Sequence, residues 1–255
     1  MPDICLTKTH RKYRTLLCIC ILIYLAAMLV RMIKIVLDPT LTRDGAVYLI
    51  WVENWIATGN FYYDFFGRVD PSMPLSPWTI KELIQLGGFD AEIAGRSLSL
   101  FFGSMFPVIG FLFTWRLCRS IRIALIAAFL LVFLPELVEL SGQPMRDSCY
   151  ISLCGVLMIV LVEAFRESTV FKWALCGIFL ALSVYCRYEA MEFAVIVPLF
   201  LAFLWAFKKI KFREMFLDAA VFFLVSALTL VLLALSVGFD FRLIGRLSFF
   251  FNRIF

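Results

Sequence analysis

Long uninterrupted apolar runs constrain this chain more than any other feature, and the first is TLLCICILIYLAAMLV at residues 15–30. Wound into a helix and extended a little further, such a run spans the hydrocarbon core of a bilayer, which is about 30 Å thick. Strands of a transmembrane barrel would alternate apolar and polar residues, and these runs do not. The chain is 63% hydrophobic and 17% charged, whereas soluble domains are about half apolar and about one quarter charged. The sequence therefore predicts an all-α polytopic membrane protein.

Apolar length and flanking charge predict about seven transmembrane helices in a single membrane domain that covers residues 1–255. The first span, preceded by basic residues, is interpreted as an uncleaved signal anchor. Lys and Arg gather in HRKYR, RLCRSIR, FRESTVFK and KKIKFR, which all fall on one side and predict a cytoplasmic N-terminus. The predicted limits of the spans are 15–37, 94–115, 121–140, 148–165, 171–186, 190–207 and 215–237.

The longest connection, residues 38–93, is acidic and falls on the predicted outer side. Tyr48, Trp51 and Trp55 recur at helical spacing, which predicts an interfacial helix over 46–57 with its rings at headgroup level. After the proline-punctuated stretch GRVDPSMPLSPW, the segment TIKELIQLGG predicts a second short helix that ends at glycine. Basic residues among Phe and Leu at 238–255 predict an amphipathic surface tail.

Several classes of site are disfavoured by composition and motif. The chain has eight cysteines, but most lie inside apolar runs, and none has metal-ligand spacing. The net charge of +5 is spread over short loops, as in membrane proteins, and forms no nucleic-acid footprint. The sequence indicates no cofactor and leaves a divalent-metal requirement open; a disulfide between Cys149 and Cys186 is a minor alternative.

Polar residues gather at the membrane boundary on the predicted outer side, where charges are costly and often mark a functional site. In chain order they are Asp44 in TRDGAVYL, Pro74 in MPLSPW, Arg96 in AGRSLSLFFG, Arg146 and Asp147 in MRD, and Arg187 and Glu189 in CRYEA. This succession, over roughly residues 15–207, resembles the GT-C membrane glycosyltransferases. The resemblance is strongest to the bacterial relatives of protein O-mannosyltransferases and to lipid A aminoarabinose transferases.

The resemblance implies a role for each of these residues. Asp44 would be the catalytic base that takes the proton of the acceptor hydroxyl. Arg187, Arg146 and Arg96 would bind the phosphate of the donor, because a guanidinium matches phosphate in a bidentate fork. The supporting residues would be Glu189, Asp147 and Pro74. Many family members have a second acid directly after the first, but this chain has Gly45 there.

The residues alone leave other interpretations open. Asp44 could be the N-cap of helix 46–57, and Asp38 is a second candidate for the base. Arg187 could simply snorkel or pair with Glu189, and Arg146 could pair with Asp147 or with an acid of the outer loop. Arg31 and Lys34, near the end of the first span, are expected to snorkel to headgroups, with donor-phosphate binding as the alternative.

The predicted function is an inverting glycosyl transfer from a polyprenyl-phosphate sugar to an acceptor on the outer face of a bacterial inner or plasma membrane. Lipid and an unidentified acceptor are the expected partners, with a second subunit as a further option. Family enzymes usually have several hundred residues, so a truncated module is one alternative. A non-catalytic subunit, scaffold or lipid carrier is the other, although a carrier would place charges near mid-bilayer and these spans have few there.

Overall fold

The computed structural model describes residues 3–59 and 74–237. All regular structure within these ranges is helical, which confirms the all-α prediction for the described part of the chain. Two predicted features, most of the proline-punctuated stretch before Pro74 and the tail at 238–255, lie outside the described residues. The helices are α1 (Asp3–Leu37), α2 (Arg43–Thr58), α3 (Leu75–Gly87), α4 (Ala91–Cys118), α5 (Ile121–Phe133), α6 (Pro135–Gly142), α7 (Asp147–Arg166), α8 (Val170–Cys186), a 3-10 helix (Tyr188–Met191), α9 (Glu192–Ala206) and α10 (Phe212–Val237).

The protein is an integral membrane protein with several helices able to span a bilayer. Five segments of the described chain are long and apolar enough by themselves: Arg14–Leu37, Ala91–Cys118, Asp147–Arg166, Tyr188–Ala206 and Phe212–Ser236. The pair α5 and α6 is bent by 55° and would be a sixth span if it crosses as one. The remaining predicted span is α8, an apolar helix of 17 residues. Five to six spans are therefore supported, and the count of seven stays a prediction.

The chain packs as two compact units. The first unit contains Met1–Leu49 and Phe89–Ile159, and its helices α1, α4, α5 and α6 pack against one another. The second unit contains Ile50–Gly88 and Val160–Phe255. In the second unit α8 packs along α10 and also contacts α3, while α9 packs against α10.

A buried arginine stabilises the break between α5 and α6. Pro135 has no N–H, so it cannot donate the helical hydrogen bond that the carbonyl of Leu131 would otherwise accept. The guanidinium of Arg31 instead donates to the carbonyls of Leu131 at 3.5 Å and Val132 at 3.4 Å, and its Nε donates to Ser141 Oγ at 3.0 Å. A cation at the carboxyl end of a helix also interacts favourably with the helix dipole. Arg31 is 0% exposed, so the prediction that it snorkels to headgroups is wrong.

Glycines allow close helix contacts within each unit. A Cβ atom on Gly103 of α4 would lie 2.0 Å from Ser141 Oγ, the same hydroxyl that Arg31 contacts. In the second unit, a Cβ atom on Gly177 of α8 would lie 2.6 Å from the carbonyl oxygen of Phe222 in α10. A larger residue at either position would push the two helices apart.

The helices of segment 38–93 differ from the interfacial prediction in one respect. Trp51 and Trp55 of α2 are only 3% and 5% exposed, so their rings are buried by protein and do not face headgroups. The ammonium of Lys81 in α3 lies 4.9 Å from the centre of the Trp55 ring, a cation–π contact. The predicted glycine end of α3 is confirmed, because Gly88 has a φ of 65° and its N–H bonds to the carbonyl of Ile84.

Candidate functional site

Thr42 caps α2, and Asp44 does not. The helix begins at Arg43, and the hydroxyl of Thr42 accepts a hydrogen bond of 3.2 Å from the N–H of Gly45, the usual geometry of an N-cap. Asp44 lies in the first turn and is exposed. The interpretation of Asp44 as the N-cap is therefore wrong.

Asp38, the second candidate for the base, is held by its neighbours. Its carboxylate forms a 2.7 Å ion pair with Lys34 and accepts a hydrogen bond from the hydroxyl of Thr40. The hydrogen bonds from Lys34 and Thr40 lower the pKa of Asp38 well below its ordinary value, to about 2. A carboxylate with so low a pKa is a poor proton acceptor, so Asp44 is the better candidate.

Arg96 connects three parts of the first unit. Its side chain is largely buried, and Nε donates to Glu92 Oε1 at 2.7 Å, one turn earlier in α4. Its other nitrogens donate to the carbonyl of Gly142 at 3.0 Å and to the carbonyl of Pro39. These contacts give Arg96 a structural role that the sequence did not indicate, and its predicted phosphate contact stays a prediction.

Gln143 is a residue of this region that the sequence motifs did not identify. Its Oε1 accepts from the backbone N–H of Thr42 at 2.9 Å and from the Thr42 hydroxyl at 3.2 Å. Its Nε2 donates to the carbonyl of Thr40 at 3.1 Å. The sequence signal for Gln143 was its place inside SGQPMRD, three residues before Arg146, but polarity alone does not indicate a partner about 100 residues away.

Pro144 packs between two glycines on different helices. A Cβ atom on Gly45 would lie 3.0 Å from Cδ of Pro144, and one on Gly95 would lie 2.6 Å from its Cβ. The Cβ atom added at Gly95 would also lie 2.9 Å from Cδ2 of Leu49. The close contact with Pro144 leaves little room for the second acid that many family members carry at the position of Gly45.

Gly95→Ala is expected to destabilise the protein by about 1–3 kcal/mol, because the proline ring cannot yield as a flexible side chain can. The measurement is thermal unfolding of the purified protein in detergent. The matched control is Gly142→Ala, whose added Cβ atom would lie 3.4 Å from the nearest side-chain atom, an ordinary contact. Equal unfolding temperatures for the two variants would contradict the close packing of Gly95.

Arg146 lies against the helix that carries Asp44. The carbon at the centre of its guanidinium is 5.8 Å from the centre of the Tyr48 ring. Tyr48 follows Asp44 by four residues in α2, so the two side chains project from the same face of the helix. Asp147, the next residue after Arg146, lies in the first turn of α7. The first unit therefore has an exposed carboxylate and a guanidinium beside the same helical turn.

The remaining predicted site residues belong to the second unit. Arg187 follows the end of α8, and its Nη2 donates to Glu189 Oε1 at 2.6 Å. This is the ion pair that the sequence left open as an alternative, while the phosphate contact of Arg187 stays a prediction. Pro74 is buried at the N-cap position of α3, the helix that packs on α8.

The structure thus divides the predicted residues into two sets. The first unit contains Asp44, Arg96, Arg146 and Asp147, and the second contains Pro74, Arg187 and Glu189. A carboxylate open to solvent can accept a proton, and a guanidinium can hold a phosphate that leaves with negative charge.

The chain matches a protein family. A family model described as dolichyl-phosphate-mannose-protein mannosyltransferase matches residues 70–235, more than half of the chain. The matched range includes the arginines at positions 96, 146 and 187, whereas Asp44 precedes it. No curated protein matches the chain.

Proposed function

The chain belongs to the dolichyl-phosphate-mannose-protein mannosyltransferase family, of GT-C type, and on this premise we propose that it transfers a sugar from a polyprenyl-phosphate donor to an acceptor hydroxyl on the outer face of the membrane. The family implies membrane glycosyltransferase activity with a lipid-linked sugar donor. The sugar and the acceptor are open. The outer face and the cytoplasmic N-terminus follow from the distribution of Lys and Arg among the connections.

The observation that carries the proposed mechanism is the exposed carboxylate of Asp44 at a helix start that neighbouring loops hold in place. In the proposed reaction this carboxylate accepts the proton of the acceptor hydroxyl. The hydroxyl oxygen attacks the anomeric carbon from the side opposite the phosphate. The bond between that carbon and the phosphate oxygen breaks, and polyprenyl phosphate leaves. The configuration of the anomeric carbon is therefore inverted.

Arginines would stabilise the leaving phosphate. A polyprenyl phosphate gains negative charge as the glycosidic bond breaks, and a fixed cation aimed at that charge lowers the barrier. Arg146 is the proposed contact in the first unit, because its guanidinium lies beside the helical turn that carries Asp44. In the second unit Arg187 forms an ion pair with Glu189, and its contact with a donor phosphate stays a prediction.

Arg146→Ala is expected to lower kcat/KM for the donor at least tenfold, because hydrogen bonds to a charged group contribute about 1.5–3 kcal/mol and 1.4 kcal/mol is a factor of ten. Arg146→Lys should recover part of the loss, since it keeps the charge but not the fork. The measurement is the initial rate against donor concentration. Arg122→Ala, which removes an exposed arginine of the first unit from the start of α5, is the control. An unchanged kcat/KM for the donor in Arg146→Ala would remove Arg146 from the phosphate site.

The proposed function is tested by transfer of labelled sugar from a panel of polyprenyl-phosphate sugars in membranes that contain the purified protein. Labelled product together with released polyprenyl phosphate would support it. Donor binding without product, across the panel and with mixed acceptors, would favour the non-catalytic subunit instead. The anomeric configuration of the product tests inversion directly.

A further inference from the structure

The connection between α1 and α2 is held by side chains from two other segments of the first unit. Arg96 of α4 donates to the carbonyl of Pro39, near the start of the connection. Gln143, between α6 and α7, contacts the other half through Thr40 and Thr42. The helix α2 begins at Arg43, directly after Thr42. Both neighbours of Leu41 are therefore hydrogen-bonded to Gln143.

One amide group holds both ends of the segment Thr40–Thr42. Nε2 of Gln143 donates to the carbonyl of Thr40 at 3.1 Å, and Oε1 accepts from the N–H of Thr42 at 2.9 Å. The Thr42 hydroxyl also donates to Oε1 at 3.2 Å while it accepts from the N–H of Gly45 at 3.2 Å. A chain of hydrogen bonds thus runs from the first turn of α2, which contains Asp44, to Gln143.

Gln143 is itself fixed by its surroundings. Its backbone carbonyl accepts from the N–H of Met145 at 2.7 Å, and the following residue is the buried Pro144, whose φ is restricted by its ring. Met145 is held in turn, because its N–H donates to Ser99 Oγ at 3.2 Å. The amide of Gln143 is therefore attached to a rigid part of the backbone and can transmit that rigidity to α2.

We propose that Gln143 is a positioning residue of the transfer reaction, which orients the first turn of α2 and thereby aims the carboxylate of Asp44 at the acceptor hydroxyl. This role rests on the proposed function. It adds Gln143, which none of the sequence motifs identified, to the residues of the reaction. Gln143 does not touch the reacting atoms; it acts through Thr42. Its loss leaves Asp44 chemically intact but free to take unproductive orientations, and a misplacement of about 1 Å can cost as much as 100-fold in rate.

Gln143→Ala is expected to lower kcat by about 10- to 100-fold while the donor KM changes less than twofold, because the donor phosphate contacts are untouched. The measurement is the initial rate of labelled-sugar transfer by the full chain in membranes, with the unfolding temperature measured in parallel. The control is Gln85→Ala, which removes an exposed glutamine of α3 in the second unit. A kcat equal to that of the wild type would overturn the inference.

Gln143→Glu provides a pH signature that general loss of stability would not produce. A protonated glutamate has both an O–H donor for the Thr40 carbonyl and an oxygen acceptor for Thr42, whereas the ionised form has lost the donor. The ratio of variant kcat to wild-type kcat should therefore rise as the pH falls through the pKa of the new carboxyl. A ratio that is constant with pH, at equal unfolding temperatures, would overturn the inference even if Gln143→Ala does not fold.

Asp44→Asn separates failure of this inference from failure of the proposed function. If Asp44→Asn is inactive and Gln143→Ala is slow, both proposals are supported. If Asp44→Asn is inactive and Gln143→Ala has the wild-type kcat, only the positioning role is overturned. If Asp44→Asn is fully active, Asp44 is not the base, and both the proposed mechanism and the role of Gln143 are overturned.

Discussion

Asp44→Asn is expected to lower the rate of sugar transfer by about 10²–10⁴-fold, the usual contribution of a general base. The amide has nearly the shape of the carboxylate but cannot accept the hydroxyl proton. Asp44 is exposed in the first turn of α2, while Thr42 makes the cap, so the substitution should leave the helix intact. The measurement is transfer of labelled sugar by variant and wild-type proteins present at equal amounts in the membrane.

Asp90→Asn is the matched control for this experiment. Asp90 caps α4 through a 2.9 Å hydrogen bond from the N–H of Glu92, and asparagine caps helices about as well as aspartate. The activity of Asp90→Asn should equal that of the wild type. A comparison with Asp38→Asn adds a second test, because a larger loss there than in Asp44→Asn would transfer the role of base to Asp38 in spite of its low pKa.

Arg31→Met is expected to destabilise the protein by about 3 kcal/mol, since it leaves the buried acceptors at the end of α5 without their donor. For a chain of this size the unfolding temperature should fall by roughly 6–12 °C. The helical donor to the carbonyl of Leu131 would be residue 135, which is a proline without an N–H, so the helix itself cannot replace the guanidinium at that carbonyl. The measurement is thermal unfolding in detergent or nanodiscs.

Two further variants define the origin of this effect. Arg31→Lys keeps the charge but presents a single ammonium in place of the planar fork, so its loss of stability should be intermediate. Lys34→Met, one turn later in α1, removes an ion pair with Asp38 that is exposed to solvent, and the unfolding temperature should stay close to that of the wild type. Equal stability of Arg31→Met and the wild type would show that Arg31 does not stabilise the break.

Local patterns predicted those features that depend on neighbouring residues. The apolar runs predicted the helices, Gly88 predicted the end of α3, and the spacing of Arg187 and Glu189 already offered their ion pair as one alternative. The succession of short motifs predicted the glycosyltransferase family that the match over residues 70–235 shows. Each of these depends on composition or on contacts within a few residues, and such contacts are encoded by sequence spacing.

Contacts between distant segments could not be predicted in the same way. The tryptophans of α2 have the spacing of an interfacial stripe, but burial by protein and burial by headgroups favour the same residues. Arg31 has the position of a snorkelling residue, near the end of an apolar span, yet the carbonyls that accept from it lie about 100 residues later in the chain. The partner of Thr42 is equally distant, which is why Gln143 had no signal of its own.

The sequence by itself determined that this chain is a helical membrane protein of the mannosyltransferase family, because hydrophobic length and motif order are local properties. The tertiary structure alone decided which polar groups satisfy one another inside the first unit. It placed Arg31 at the broken end of α5 and Gln143 beside the cap of α2. The physical reason is that most buried polar groups, such as the guanidinium of Arg31, are hydrogen-bonded, and only the packing of the helices determines which distant residue the partner is.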